Sequence, residues 1–289
     1  MGLVLQTVKM KKITLYIVLA GMLSLFGCSA YHKSLKSKDF DEVYKAAMSY
    51  YEKKDYYKAG NLFNLISTKA LGRPEMEDIK YYFAYCQYYQ KEYLMSQFYF
   101  KEFVEMFPRS SRAEEAYYRS AYSGYFMSPR FSLDQGISKQ TINDLQSFLL
   151  RYPFSSYKSQ ADAIIKELEL KIEKKTYLNA KQYVRIREYK AAVIVCANFL
   201  FDYPVSQHRE ELSFLKVKSQ YKLADMSFES VEKDGEIIEL KKQRMTEVKV
   251  FYRDFIDSYP ESKYRKESET YYVSASDYVN LKGKKKRKK

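Results

Sequence analysis

The segment Phe-x-x-x-Tyr/Phe-Pro-x-Ser occurs four times in this chain. The copies are Phe103 to Phe107-Pro108-Arg109-Ser110, Phe148 to Tyr152-Pro153-Phe154-Ser155, Phe199 to Tyr203-Pro204-Val205-Ser206, and Phe255 to Tyr259-Pro260-Glu261-Ser262. Their prolines are 45, 51 and 56 residues apart and account for four of the six in the chain. A period of that size belongs to stacked supersecondary units rather than to a single globular core. Each copy reads as one helix ending and another starting. Pro disfavours helical backbone at the aromatic before it and cannot donate to the preceding turn, while Ser two residues later caps the next helix. Phe and the second aromatic, four apart, share a helix face. Ser111 and Glu114, after the first copy, have capping-box spacing.

Ending a 34-residue tetratricopeptide unit at each Pro tests this reading, because such units need small residues and aromatics at set places. Ala84, Ser96, Phe100 and Phe103 satisfy it before Pro108, and Ala47, Tyr50, Ala59, Phe63 and Ile66 satisfy it one unit earlier without a Pro. Before Pro204, Ala192 and Phe199 fit and Cys196 takes a large-residue place. The units ending at Pro153 and Pro260 are longer. The expectation is an all-α superhelical solenoid of about five hairpins, three clear and two expanded. Ala161, Ile164, Ile165, Leu168 and Ile172 follow the helical period. Breaks are expected at Gly72–Pro74, around Ser128–Gly136 and at Asp234–Gly235, with Met127–Ser138 the longest loop inside a repeat and helix everywhere else.

The N-terminal residues set the compartment. Met10-Lys11-Lys12 precedes an apolar run from Ile13 to Phe26, too short for a comfortable membrane span and laid out as a secretory signal. Met10 makes a better start than Met1. Leu25-Phe26-Gly27-Cys28 resembles a bacterial lipoprotein box, in which the Cys takes an S-diacylglycerol and an N-acyl group such as palmitate. The alternative is an ordinary cleaved signal with an incidental Cys. The division expected is signal peptide 1–27, a polar lipidated tether 28–38, repeats one, two and the start of three over 39–128, repeats three to five over 129–280, and a basic tail 281–289.

Cys86 and Cys196 fall at packing positions of different repeats and read as buried apolar thiols. His32 lies in the tether and His208 in a turn, so no histidine-based catalytic group forms, and no Cys or His spacing suits a metal. Of the net charge of +14, seven cations lie in 282–289 and three are Lys9, Lys11 and Lys12, which leaves +4 for the body. No nucleic-acid partner follows from that charge once the chain is exported. The tail reads as a solvated disordered end or as a contact for anionic lipid headgroups. The chain has 31 Tyr and no Trp. Pairs such as Tyr50-Tyr51, Tyr56-Tyr57, Tyr81-Tyr82, Tyr88-Tyr89 and Tyr117-Tyr118 place one ring toward the core and the other toward a groove, since neighbours on a helix point about 100° apart. Such a groove suits extended peptides with aromatic ends.

The lipoprotein box, five helical repeats and the repeated aromatic-Pro-x-Ser turns together resemble the BamD family, lipoproteins of the outer-membrane β-barrel assembly machine, over about residues 39–280. The high Tyr and Lys content is similar to members from Bacteroidetes. Surface lipoproteins there carry an acidic run after the Cys; Ser29 to Lys33 has none, which implies the periplasmic face of the outer membrane. The resemblance implies a non-enzymatic subunit without metal or cofactor beyond the covalent lipid on Cys28. It further implies that unfolded barrel precursors are received at about residues 40–128 and a BamA-like barrel protein is bound at about 157–280. The longer later repeats and the basic tail depart from the family pattern. A general periplasmic adaptor for envelope division or peptidoglycan coordination is the alternative. A glycan-binding lipoprotein resembling SusD is disfavoured by the length and the missing Trp, and an enzyme by the absence of a nucleophile with its base.

Overall fold

The computed structural model describes residues 30–286 apart from Asp234 and Gly235. It is helical almost throughout. After α1 (residues 30–36) come α2 (Phe40–Glu52), α3 (Tyr56–Ser67), α4 (Met76–Tyr89), α5 (Tyr93–Met106), α6 (Ala113–Met127), α7 (Gly136–Arg151), α8 (Lys158–Arg185), α9 (Tyr189–Asp202) and α10 (Arg209–Asp225). Two short strands, β1 (Val231–Lys233) and β2 (Glu236–Ile238), pair antiparallel with Val231 opposite Ile238, before α11 (Leu240–Ser258) and α12 (Arg265–Lys286). The five hairpins are α2/α3, α4/α5, α6/α7, α8/α9 and α10/α11, with α12 after the last. Two compact units result: residues to Pro129 with Asp134–Leu168, and Arg130–Leu133 with the residues from Glu169 on. The division falls within α8.

The small residues expected at helix contacts are buried there. Ala47, Ala59, Ala84, Ser96 and Ala192 have no exposed surface, and neither do Phe63, Phe100 and Phe103. Gly124 of α6 extends this rule, since a Cβ there would lie 2.6 Å from Thr141 Oγ1 of α7. Cys86 and Cys196 are buried free thiols, as expected, and burial pushes both up to about 12. They pack as apolar residues.

The four aromatic-Pro-x-Ser turns, which follow the second to fifth hairpins, share one construction. Phe103, Phe148, Phe199 and Phe255 are buried, each with its ring 4.7 to 5.9 Å from the aromatic four residues on. The backbone N–H of that aromatic caps the helix by donating to the Phe carbonyl. The Ser hydroxyl then acts twice. It accepts the backbone N–H two residues ahead, from Arg112, Tyr157, His208 and Tyr264 at 3.0 to 3.1 Å. It also donates to a glutamate on the first helix of the hairpin just completed: Ser110 to Glu77, Ser155 to Glu114, Ser206 to Glu173 and Ser262 to Glu210, at 2.5 to 2.6 Å. The turn after the first repeat, which lacks the aromatic-Pro-x-Ser sequence, places Arg73 against Asp41 at 3.6 Å instead. The Ser111–Glu114 box is not formed: the residue capping α6 is Arg112, without a side-chain bond, and Glu114 serves Ser155.

Turns inside the hairpins carry no such marker. In repeats one, two and four a basic residue takes positive φ, Lys54 (61°), Lys91 (65°) and Arg187 (63°). The following Asp55, Glu92 and Glu188 donate their backbone N–H back to the carbonyls of Tyr50, Gln87 and Tyr183 at 2.9 to 3.0 Å. This is a Schellman closure, a place usually taken by Gly. The two expanded repeats lack it. Residues 128–135 join α6 to α7, and residues 226–239, which hold the strands, join α10 to α11. The latter break, not Met127–Ser138, is the longest within a repeat, and its two three-residue strands are a local exception in a fold that is all-α as expected.

Two further expectations are corrected. The tether is helical over residues 30–36, and Tyr31 and Leu35 pack against the core of the first repeat, because two apolar side chains one turn apart suffice to seat a short helix. The tail is helical through Lys286, since Lys tolerates helix interiors and suits a helix C-terminus; residues 287–289 lie outside the described part.

Candidate functional site

The first unit holds a ladder of tyrosine hydroxyls and carboxylates on the first helices of successive hairpins. Tyr44 Oη donates to Asp78 Oδ2 at 2.9 Å, and Asp78 also takes Arg112. One turn along, Tyr81 Oη donates to Glu115 Oε2 at 2.7 Å, Tyr85 Oη donates to Glu115 Oε1, and Arg119 Nε donates to Tyr85 Oη at 3.2 Å. Tyr118 reaches Gln160 and Tyr125 reaches Glu167 on α8. Tyr44–Asp78, Tyr81–Glu115 and Tyr85–Arg119 each join residues 34 apart, so the repeat period itself aligns donor with acceptor.

Electrostatics follow from this pairing. Burial, then the bond to Asp78, pushes the Tyr44 hydroxyl up to about 12. Tyr81 and Tyr85 move further the same way, by burial and then by Glu115. Burial of Glu115 opposes its charge, but the hydrogen bonds from Tyr85 and Tyr81 together with Arg119 outweigh it and hold the carboxyl below its ordinary 4.5. The tyrosines therefore stay neutral donors, and their hydroxyls are occupied within the ladder.

Beside the ladder runs an unbroken series of ring contacts. Tyr56 stacks on Tyr89 at 4.3 Å, Tyr89 meets Tyr88, Tyr88 meets Tyr93, Tyr93 stacks on Phe126 at 4.6 Å, and Phe126 meets Tyr122 and Tyr125. Tyr89 and Phe126 are 45% and 42% exposed, and Tyr57 is 65% exposed. Of the tyrosine pairs, 81/82 and 117/118 each bury one ring, whereas both rings of 88/89 join this surface series. Such a stripe offers flat apolar faces to a chain in extended conformation and reads no particular sequence. It has no nucleophile–base pair, and among the described residues no group of three His, Cys, Asp or Glu could hold a metal.

The second unit offers a different surface, a cavity of about 390 Å³ lined by Leu170, Glu173, Lys174, Tyr177, Leu178, Gln207 and His208. His208, at the start of α10, lies flat on Tyr177 at 3.9 Å. Tyr177 donates to Glu211, which also pairs with Lys181.

The residues that sequence patterns single out are thus joints, one after each of the last four repeats and not gathered into a pocket, while Cys28 lies outside the described residues. The ladder was missed because its partners sit one repeat apart; the 34-residue spacing between Tyr and Asp or Glu was the available signal.

The sequence matches the outer membrane lipoprotein family YfiO over residues 36–223, a span running from the end of α1 to the last turn of α10. The chain belongs to this family. It is also 26% identical over 234 residues, 80% of this chain and 76% of the relative, to a protein of Aquifex aeolicus (strain VF5) named putative outer membrane protein assembly factor BamD. The resemblance drawn from the turns and repeats therefore stands, and with it an association with the outer membrane. No helix of the described residues is long and apolar enough to cross a membrane.

Proposed function

We propose that this chain is the BamD-type lipoprotein subunit of a β-barrel assembly machine. Lipid on Cys28 anchors it to the periplasmic face of the outer membrane. The partly exposed ring series from Tyr56 to Tyr125 receives unfolded barrel precursors, and the later repeats hold a BamA-like barrel protein. The role is that of a scaffold without chemistry of its own. The observation that carries the reading is the aromatic stripe on a member of an outer membrane lipoprotein family. Barrel precursors alternate apolar and polar residues and are rich in interface aromatics, the side chains that stacked tyrosines accept.

Depletion of the protein is expected to lower barrel proteins in the outer membrane, and detergent-solubilised protein is expected to co-purify with the BamA-like partner. A photo-crosslinking residue at Tyr89 should capture precursors, whereas one at Phe154, 99% exposed on a turn, should not. Normal barrel levels together with no co-purification would sink the proposal. Persistent membrane attachment after Cys28→Ser would remove the lipid from it.

A further inference from the structure

The docking of α1 limits how far from the body a lipid on Cys28 can lie. Tyr31 Oη accepts a hydrogen bond from Asn61 Nδ2 at 3.0 Å, its ring meets Tyr50 edge-on at 5.7 Å, and Lys58 Nζ sits 5.8 Å from its centre. Tyr50 is in the last turn of α2 and Lys58 in the first turn of α3. Farther along, Lys33 pairs with Glu42 at 3.7 Å and Ser37 donates to Glu42, so α1 runs back along α2. The chain therefore reaches the body at the α2–α3 turn. Cys28 precedes Tyr31 by three residues, and three peptide steps span at most roughly 11 Å. A lipid there holds that turn against the bilayer and not on a long leash.

The turn is composed for such a place. Lys53 and Lys54 are exposed, and Tyr57 beside them is among the most exposed aromatics of the unit. Asp55 is engaged by Lys58 at 2.7 Å, and Glu52 is the other acid of the turn. The equivalent turns of repeats two and four have Gln90 and Ile186 where this one has Lys53. Ammonium groups meet headgroup phosphates, and a Tyr with an apolar ring and a polar tip favours the interface.

We propose that the α2–α3 turn, through Lys53, Lys54 and Tyr57, is a contact surface for the phospholipid headgroups of the bilayer that holds the Cys28 lipid. This rests on the lipidation of Cys28 proposed above.

The test uses the full lipidated chain in vesicles of phosphatidylethanolamine and phosphatidylglycerol, with a nitroxide on Glu52→Cys or, as reference, on Arg109→Cys at the exposed α5–α6 turn. The mass of the peptide holding Cys28 establishes acylation in each sample. A water-soluble nickel chelate should relax the label at 52 roughly threefold less than the label at 109. Inserting about a dozen Gly and Ser residues between Ser29 and Ala30 should bring the two labels to equality. Lys53→Glu with Lys54→Glu should raise access at 52 without changing it at 109. Equal access at both positions, with Cys28 acylated, would overturn the headgroup contact and leave the anchor standing. Absence of acylation would overturn both.

Discussion

The two units solve the same packing problem with different regularity. In the first, two hydroxyl–carboxylate ties step by the repeat period, Tyr44 to Asp78 and Tyr81 to Glu115, and Tyr125 to Glu167 spans 42 residues across the expanded third repeat. In the second, one tie keeps that step, Tyr177 to Glu211, while Lys218 to Glu267 spans 49 residues. The Ser–Glu contacts explain how both work. They join residues 33, 41, 33 and 52 apart, yet always link the turn after a hairpin to that hairpin's first helix. The two long spacings belong to the repeats with expanded inner turns. Inserted residues are thus absorbed between the two helices, and the joint between hairpins keeps its geometry.

The largest test of this comparison replaces one buried Phe in each unit. Phe103→Ala and Phe199→Ala should each cost about 3–5 kcal/mol, and stability in such arrays is set by near neighbours. Hydrogen exchange should therefore show each substitution lowering protection chiefly in its own unit; equal loss in both would break the distinction. Glu115→Ala should come next, at about 2 kcal/mol, because it leaves two buried tyrosine hydroxyls without an acceptor. Glu211→Ala, beside the half-exposed Lys181, should cost about 1 kcal/mol or less, as denaturant titration can measure.

Acid should act on the same carboxylates in both units. Glu115, Glu211 and Glu267 all have folded values below the ordinary 4.5. Their contribution is complete above 4.5 and is lost as pH falls through the lower folded values. Melting temperature should therefore drop on the acid side of 4.5, and Glu115→Gln should flatten that dependence. Ser→Ala at 110, 155, 206 or 262 should cost about 1 kcal/mol each, alike despite their different spacings. A cost at 155 or 262 well below that at 110 would mean that expansion loosens the joint. The smallest effect is expected at Lys91→Gly, which relieves a left-handed residue at a helix end and should stabilise by about 0.5 kcal/mol, the flexibility of Gly offsetting part of the gain.

The hairpin joints were legible because Pro and aromatics act locally, through backbone sterics and contacts four residues apart. The inner turns were not, since Lys54, Lys91 and Arg187 stand where Gly would have announced itself; only the recurrence of basic, acidic and Tyr at 54–56, 91–93 and 187–189 hints at them. The ring series was legible as composition but not as a surface. Whether Tyr89 or Tyr85 faces outward depends on how α4 rotates against α3 and α6, which packing decides. The helix at 30–36 escaped notice because its two anchoring side chains, Tyr31 and Leu35, are too few to show a period among the lysines and serines around them.

The serine at each joint closes a finished hairpin and opens the next with one hydroxyl. Neither bond depends on the length of chain between its ends, so hairpins of unequal size are interchangeable at these points. A hairpin cut between one such serine and the next, and placed elsewhere in the array, should find matching connectors on both sides. The architecture can therefore be lengthened, shortened or shuffled at its serines, while new material accumulates at the far tips of the hairpins.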